Sequence, residues 1–393
     1  MTMSKQASHL SDVEYNALRQ PEKTLPALSY FDPDFYAREL REIWAKRWIF
    51  VCRSDDLSES LCYRTLIVGD QNIVVLRDTD GKLSAFHNVC RHRGSILCKE
   101  RSGRLGSRLL VCPYHQWSYA TTDGRLVRTT SFAEPDGFIK GDFGLFGVAL
   151  TEWRGCVFVN LDPHATFGEA EAFQRPPDNL VNFPMEKMVS GHVWTKQMSC
   201  NWKVFWENFN ECLHCPNIHP ELSELVPMFQ RRIINPRDVP DWQQHADSDE
   251  PKFRGGMRDG AETWSTDAGA QGRVISELTA EDHARGHTYA TAWPSVFVAG
   301  YPDHVRIVRL LPLGPERMEI QAEWLFPQET LDDQDYDISK VVDFGILVME
   351  QDAQACELNQ QGFHALPFQE GVLMPEEYLL KRFHDWVRVH VDA

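Results

Sequence analysis

Between residues 47 and 162 the apolar residues fall in short runs, which is the pattern of β-strands. Residues 72–76 (NIVVL) and 156–159 (CVFV) are two such runs. Asp-Gly pairs at 80–81 and 123–124 are typical of the tight turns that join antiparallel strands. We therefore predict a small antiparallel β domain over residues 47–162.

A helical pattern precedes this β region. Asp32 can cap a helix, Pro33 suits its first position, and apolar residues recur among charged ones as far as Trp44. Residues 1–30 are polar and weakly patterned, so we expect a flexible arm or one that embraces a neighbouring subunit. Residues 1–46 are thus predicted to form an N-terminal arm and helix.

The composition shifts after Asp162 and Pro163, and we place the second domain boundary there. A chain of 393 residues suits two domains better than one compact core. Residues 163–393 are expected to form an antiparallel sheet covered by helices. Its strands are predicted near residues 193–198, 295–299, 305–310 and 318–325. The predicted fold class is α+β.

Composition and charge exclude several classes of protein. A net charge of −17 opposes binding to nucleic acid or to anionic membranes, because both attract basic surfaces. No apolar run approaches the roughly 18 residues that cross a bilayer. Ten cysteines without an export signal indicate a reducing compartment, so we expect a cytoplasmic protein.

Two short motifs form the first candidate site. CRHRG supplies Cys90 and His92, and CPYH supplies Cys112 and His115. Two thiolates and two imidazoles with these spacings suit a [2Fe-2S] cluster of the Rieske kind, in which two histidines bind one iron. A zinc site is the alternative, although zinc fingers usually pair Cys with Cys and His with His.

The second candidate site lies in the segment NWKVFWENFNECLHCPNIHPEL. If Asn201 caps a helix there, Glu207, Glu211 and His214 fall on one helical face. His219 is five residues beyond His214, and the proline between them could turn the chain back. Both imidazoles could then reach one metal ion.

A carboxylate that could complete this metal site lies far downstream. Within a predicted helix over residues 336–361, Asp352 interrupts an apolar stripe. A buried carboxylate is costly unless it is paired or bound to metal, so Asp352 is a better candidate than Asp343 or Glu350. Two histidines and a carboxylate form the facial triad of mononuclear Fe(II) oxygenases, which leaves positions open for O2 and substrate.

Together these motifs resemble those of the Rieske non-haem iron oxygenases, the terminal (alpha) components of ring-hydroxylating and N-demethylating systems. Both cluster loops are similar to the family's, although Gln116 stands where glycine is usual. Ser95 and Tyr114 stand where respiratory Rieske proteins have additional cysteines. The resemblance covers nearly the whole chain. It implies a Rieske domain at 47–162 and a catalytic domain with mononuclear iron at 163–393.

The resemblance also implies the partners. Terminal oxygenases of this kind take O2 and a small-molecule substrate, and they form homotrimers in which one subunit's cluster lies beside the next subunit's iron. The chain has no G-x-G-x-x-G nucleotide-binding motif, so electrons are expected from a separate NAD(P)H-dependent reductase. A Rieske electron-transfer protein without oxygenase activity and a zinc-stabilised interaction protein are the alternatives from other classes.

Glu211 and Asn208 are candidate catalytic residues outside the ligand sets. In the family, an acidic residue three before the first iron histidine connects it to a cluster histidine of the neighbouring subunit, here His115 by analogy. Most ring-hydroxylating members have aspartate there. Glutamate, within ECLHCPNIHPEL, is instead similar to the branch that oxidises carnitine, glycine betaine and proline betaine. The resemblance thus favours N-demethylation of a quaternary ammonium compound, with ring hydroxylation of an aromatic compound as the alternative.

Two other groups of residues have weaker signals. A cationic substrate would suit an aromatic cage, for which four residues are available although most are expected to be core: Trp206, Trp264, Trp293 and Tyr301. Cys212 and Cys215 are expected to be small packing residues rather than a zinc or redox pair.

Overall fold

A computed structural model describes residues 15–391 and has the predicted α+β fold. Its strands form five antiparallel sheets, and eleven α-helices lie around them within the described residues. None of the helices in that range has the length and apolar composition that a bilayer span requires.

Three small sheets form the predicted β region. The first eleven strands are β1 (Glu22–Lys23), β2 (Ile49–Arg53), β3 (Cys62–Val68), β4 (Gln71–Arg77), β5 (Leu83–His87), β6 (Ser102–Arg104), β7 (Leu109–Val111), β8 (Ser118–Ala120), β9 (Leu126–Arg128), β10 (Ala149–Trp153) and β11 (Cys156–Asn160). The strand orders are β5-β4-β3-β6, β7-β8-β9 and β10-β11-β2. Gly81, between β4 and β5, has a φ of 81°, which explains why glycine occupies this turn.

One larger sheet forms the centre of the second region. The remaining strands are β12 (Val189–Met198), β13 (Thr288–Ala292), β14 (Val296–Gly300), β15 (Val305–Gly314), β16 (Arg317–Phe326) and β17 (Val372–Leu373). The order in this sheet is β12-β16-β15-β14-β13, so the four predicted strands pair as neighbours. We did not predict β13, because its sequence, TYATA, has no long aliphatic residue to mark a strand.

Helices surround this sheet. They are α1 (Pro33–Glu39), α2 (Glu169–Ala172), α3 (Trp202–Phe209), α4 (Cys215–Ile218), α5 (Pro220–Leu225), α6 (Pro227–Gln230), α7 (Pro251–Arg254), α8 (Ala280–Arg285), α9 (Gln328–Leu331), α10 (Ser339–Gly362) and α11 (Tyr378–Val391). Asp32 caps α1 as predicted, since its Oδ1 accepts a hydrogen bond from Phe35 N at 2.7 Å. Helix α10, which carries Asp352, packs against α3.

The described part of the N-terminal arm packs against its own chain, so it is not the flexible segment that was one of our two expectations. Strand β1 pairs with β17, with Glu22 opposite Leu373. Leu25 and Tyr30 are buried. We missed them because residues 1–30 are polar on average, although this part contains apolar residues. Residues 1–14 lie outside the described residues.

Buried polar contacts join the N-terminal helix and the β region to the large sheet. Lys203 Nζ lies 2.5 Å from Glu39 Oε1, and both side chains are fully buried. Arg309, on β15, donates to the carbonyl oxygen of Val51 at 2.7 Å. The hydrophobic core also continues from the β region into the large sheet. The boundaries after residues 46 and 162 therefore stay predictions.

Candidate active site and cluster loops

Helix α3 ends before the residues that we expected it to carry. Asn201 caps it as predicted, but the helix stops at Phe209. The Asn210 side chain donates to the carbonyl oxygen of Trp206 at 2.7 Å and so closes the last turn. Glu211 and His214 lie in the loop that follows, so the predicted helical face shared with Glu207 is wrong.

Glu207 belongs to a different buried cluster. Its Oε1 accepts hydrogen bonds from Tyr30 Oη at 2.6 Å and from His384 Nε2 at 2.9 Å. The side chain of Asn208, the next residue, points in a different direction and donates to Asp352 Oδ1 at 2.6 Å. The end of α3 therefore reaches the carboxylate on α10 through Asn208 and the N-terminal segment through Glu207.

Helix α4 brings the two histidines together, by a route other than the one we predicted. Pro216 lies in the first turn of this short helix instead of turning the chain back. His214 immediately precedes the helix and His219 follows it, and their ring centres are 5.2 Å apart. As predicted, the two imidazoles lie close enough together to reach one metal ion.

Cys212 and Cys215 flank His214 and form a disulfide, with their Cα atoms 5.0 Å apart. Our interpretation of them as separate packing thiols is therefore wrong for this structure. Both residues are buried, which agrees with the part of that interpretation that placed them in the core.

His214, His219 and Asp352 have the geometry of a metal site. One donor atom from each lies within 4.8 Å of the other two. Asp352 Oδ1 is 2.8 Å from His219 Nε2 and 3.6 Å from His214 Nε2. Ligand atoms about 2.1 Å from one metal, at right angles to each other, are about 3 Å apart. The donor set therefore fits a mononuclear iron on one face and leaves the other face open.

Two further side chains orient the imidazoles. His214 Nδ1 lies 2.5 Å from Glu211 Oε1, and His219 Nδ1 lies 2.7 Å from Gln351 Oε1. Since both partners accept hydrogen bonds, each Nδ1 carries the proton and each Nε2 is left for a metal. We did not predict Gln351, although it immediately precedes Asp352 in the sequence.

Carboxylates beside His214 favour positive charge at this site. Burial alone would lower the pKa of His214, but its hydrogen bonds with Asp352 and Glu211 raise it to about 10. Burial would raise the pKa of Asp352, but its hydrogen bonds with the two histidines hold it below the usual range. A site that stabilises a positive charge on imidazole without metal stabilises a metal cation in its place.

The two cluster loops lie together at one end of the β region. Cys90 and Cys112 are buried, whereas His92 is exposed and His115 is half-buried. The imidazole centres of His92 and His115 are 4.8 Å apart. Sulfur donors inside and imidazole donors outside are the arrangement that a Rieske cluster needs, so the four residues fit a [2Fe-2S] group.

Hydrogen-bond donors surround the sulfur atoms. Tyr119 Oη lies 3.2 Å from Cys90 Sγ. Although burial raises the pKa of Cys112, backbone N–H groups of His115 and Tyr114 lower it below its ordinary value. Such donors stabilise thiolates and tune a bound cluster. Gln116 has a φ of 59°, which explains why glycine is usual at this position.

A cavity of about 690 Å³ adjoins His214, His219 and Asp352. Aromatic side chains form much of its wall: Phe205, Phe209, Phe229, Trp264, Tyr289 and Phe297. Of the four aromatic residues proposed for a cage, Trp264 lines this cavity, while Trp206, Trp293 and Tyr301 are buried elsewhere. Arg175 and Arg306 also line it.

Comparison with known proteins identifies the family. Residues 47–139 match the family described as "Rieske [2Fe-2S] domain", and residues 185–393 match "Ring hydroxylating alpha subunit (catalytic domain)". The glycine betaine monooxygenase oxygenase subunit of Chromohalobacter salexigens is 31% identical, over 94% of this chain and 86% of that protein. Choline monooxygenase of Beta vulgaris is 27% identical, over 95% and 79% of the two chains.

A solved structure agrees with this result at the level of the fold. The quaternary ammonium Rieske monooxygenase CntA, in complex with L-carnitine, has a TM-score of 0.66 and 22% identity, covering 94% of this chain and 96% of CntA. Because one part of the chain matches a Rieske domain and another matches a ring-hydroxylating catalytic domain, the two alternatives, a zinc-stabilised interaction protein and a simple electron carrier, are excluded. The chain therefore belongs to the Rieske non-haem iron oxygenases, as a terminal oxygenase subunit with a [2Fe-2S] cluster and mononuclear iron.

Proposed function

We propose that this oxygenase hydroxylates an N-methyl group of a quaternary ammonium compound and so N-demethylates it. The observation that carries the proposal is the aromatic wall of the cavity beside His214, His219 and Asp352. Faces of aromatic rings attract quaternary ammonium groups, which have no N–H to donate. The names of the curated relatives, glycine betaine and choline monooxygenases, support the same substrate class.

In this proposal, His214, His219 and Asp352 hold the mononuclear iron. Cys90 and Cys112 bind one iron of the cluster, and His92 and His115 bind the other. When bound, the cluster supplies electrons from the reductase, and the mononuclear iron supplies O2 activation. Asn208, Glu211 and Gln351 act as positioning residues, since each makes a hydrogen bond to a ligand side chain.

The products follow from the chemistry of the substrate. One oxygen atom enters an N-methyl C–H bond, and the hemiaminal that results breaks its C–N bond to release formaldehyde. The second oxygen atom is reduced to water by two protons and by two electrons that the reductase takes from NAD(P)H. Apolar walls such as Phe229 and Phe297 hold the methyl group and exclude other water from the cavity.

We further propose that the oxygenase works as a homotrimer in the cytoplasm, where NAD(P)H is available to its reductase. Glu211 would then connect His214 to His115 of the partner subunit and so link iron and cluster. Glu211→Gln keeps the side-chain length but removes the charge. We expect normal cluster reduction and metal binding but much slower electron transfer to substrate, measured in single-turnover experiments. A monomeric protein in analytical ultracentrifugation would contradict this arrangement.

A substrate panel tests the proposed reaction. Glycine betaine, carnitine, proline betaine, benzoate and naphthalene are each incubated with the oxygenase, a Rieske reductase and NADH. We expect formaldehyde in proportion to O2 and NADH use with at least one quaternary amine. A cis-diol from an arene, with no formaldehyde from any amine, would instead support the ring-hydroxylating alternative.

A further inference from the structure

Arg306 is a buried cation in the cavity wall without a counter-charge. Its side chain projects from β15, and the residue is 5% exposed. No carboxylate of the described residues forms an ion pair with it. Its Nη2 donates to Tyr301 Oη at 2.8 Å, but its Nε has no hydrogen-bond partner within the described part of the chain. A buried guanidinium without a counter-charge is energetically costly, which indicates a ligand that supplies the missing charge.

Arg309, three residues further along the same strand, is a buried arginine with a structural role and serves as a comparison. It lies 3.5 Å from Glu319 Oε1, and it donates to Gln321 Oε1 at 2.7 Å and to the carbonyl oxygen of Val51 at 2.7 Å. Arg309 does not line the cavity, whereas Arg306 does. The Nε atom of Arg309 also lacks a hydrogen-bond partner in the described part of the chain, so the Nε atoms do not distinguish the two residues. They differ in the counter-charge, which Arg309 has, and in access to the cavity, which Arg306 has.

Arg175 is a second guanidinium in the same wall. Its Cζ lies 6.0 Å from the ring centre of Tyr289, and it makes no ion pair with any described residue. The other cavity arginines differ from it: Arg285 pairs with Glu281 at 2.9 Å, and Arg254 is exposed at the mouth. Two unpaired cations thus remain inside the cavity, Arg175 and Arg306.

The position of Arg306 relative to the iron site is set by α10. Gly345 on this helix leaves room for the guanidinium, because a Cβ there would lie 2.8 Å from Arg306 Nη1. Asp352 follows on the same helical face, two turns away, which is about 10 Å along the axis. A hydrogen bond from Arg306 takes up about 3 Å of that distance, and the ammonium end makes none, which leaves room for a molecule only a few bonds long.

The cavity wall also contains aromatic and uncharged side chains. Burial and the positive charges of Arg175 and Arg285 lower the pKa of His287 to about 4, so this imidazole carries no charge near pH 7. Its ring lies 5.1 Å from Trp264 and 5.5 Å from Tyr289, measured between ring centres. The wall is thus positive at Arg306 and Arg175 and carries negative charge beside the iron site, at Asp352 and Glu211.

We propose that Arg306, with Arg175 in the same cavity wall, binds the carboxylate of the substrate, so that the substrate is a zwitterionic betaine rather than a simple cation. This inference rests on the proposed function, since it places the ammonium end of the same molecule near His214, His219 and Asp352. The aromatic wall attracts the ammonium group, and the two guanidinium groups select molecules that carry an acid at the opposite end.

Glycine betaine and choline form a matched pair of probes, because both carry a trimethylammonium group and they differ in a carboxylate against a hydroxyl group. Dissociation constants are measured calorimetrically with the holoenzyme, and O2 uptake is measured with reductase and NADH. We expect the wild type to bind glycine betaine at least about 100-fold more tightly than choline, or about 2.8 kcal/mol at 1.4 kcal/mol per tenfold.

Three variants separate recognition from folding. Arg306→Met should abolish most of the preference for glycine betaine while leaving the protein as thermally stable as the wild type or more so, because it removes an unpaired buried charge. Arg306→Lys should restore part of the preference. Arg309→Met, the matched control, should lower the thermal stability but leave the ratio of the two dissociation constants unchanged.

The outcomes distinguish this inference from the proposed function. Equal affinity for glycine betaine and choline in the wild type, or an unchanged ratio in Arg306→Met, would overturn the carboxylate subsite even if formaldehyde were formed from a quaternary amine. Absence of binding and turnover with every quaternary amine would overturn both proposals. A preference that is lost in Arg306→Met and kept in Arg309→Met supports the subsite.

Discussion

Replacement of Gln351 by leucine should weaken iron binding without unfolding the protein. Gln351 Oε1 is the acceptor for His219 Nδ1 at 2.7 Å, and Gln351 Nε2 donates in turn to Glu221 Oε2 at 3.2 Å. His219 is only 2% exposed, so water cannot replace the lost acceptor. An unsatisfied buried N–H costs about 1–3 kcal/mol. Loss of a group that orients a ligand lowers metal affinity about 10- to 100-fold, which is the same range.

The assay is anaerobic titration of Fe(II) into protein that lacks the mononuclear iron but keeps its cluster. The visible absorption of the cluster reports that each variant is folded. Gln351→Glu keeps an acceptor and should bind iron about as well as the wild type. Glu350→Gln is the neighbouring control, since Glu350 pairs with Lys196 at 2.7 Å rather than with a site residue. Wild-type affinity in Gln351→Leu would refute the role assigned to this side chain.

Three other changes have defined outcomes. Gln116→Gly relieves a left-handed backbone conformation and should stabilise the protein by about 1 kcal/mol in denaturant titrations; lower stability would contradict this. Asp352→Ala should lose the mononuclear iron in metal analysis but keep the cluster spectrum, and retention of that iron would exclude Asp352 as a ligand. Lys203→Met leaves Glu39 buried and unpaired and should destabilise by about 3–5 kcal/mol, whereas adding Glu39→Gln should recover much of that loss.

The sequence was informative where local pattern decides structure. Asp32 caps its helix, and the strands predicted near residues 193–198 and 305–310 lie in one antiparallel sheet, where both pair with β16. Asp352 was identified because a carboxylate in an apolar stripe is costly to bury unless it is paired or bound to a metal. In the structure, this carboxylate lies beside both candidate histidines. Its role as an iron ligand stays a prediction.

The remaining features depend on contacts that the sequence pattern does not contain. Helix α3 ends at Phe209 because the Asn210 side chain turns back on Trp206, whereas helical spacing alone would carry the helix on to His214. Gln351 precedes Asp352, but its role depends on a contact with His219, which is 132 residues away in the sequence. The role proposed for Arg306 follows from its lack of a counter-charge. The sequence does not show that lack, because it depends on every side chain in the cavity wall.

The packing of the N-terminal arm has a consequence for how the chain folds. Glu22 pairs with Leu373, Tyr30 contacts Glu207, and Glu39 binds Lys203, so contacts of very high sequence separation close this part of the core. Such contacts form slowly, because a long loop must close before they contribute any stability. During synthesis, the strands that pair locally between β3 and β11 can therefore form first. The iron site must wait until the last helices have left the ribosome.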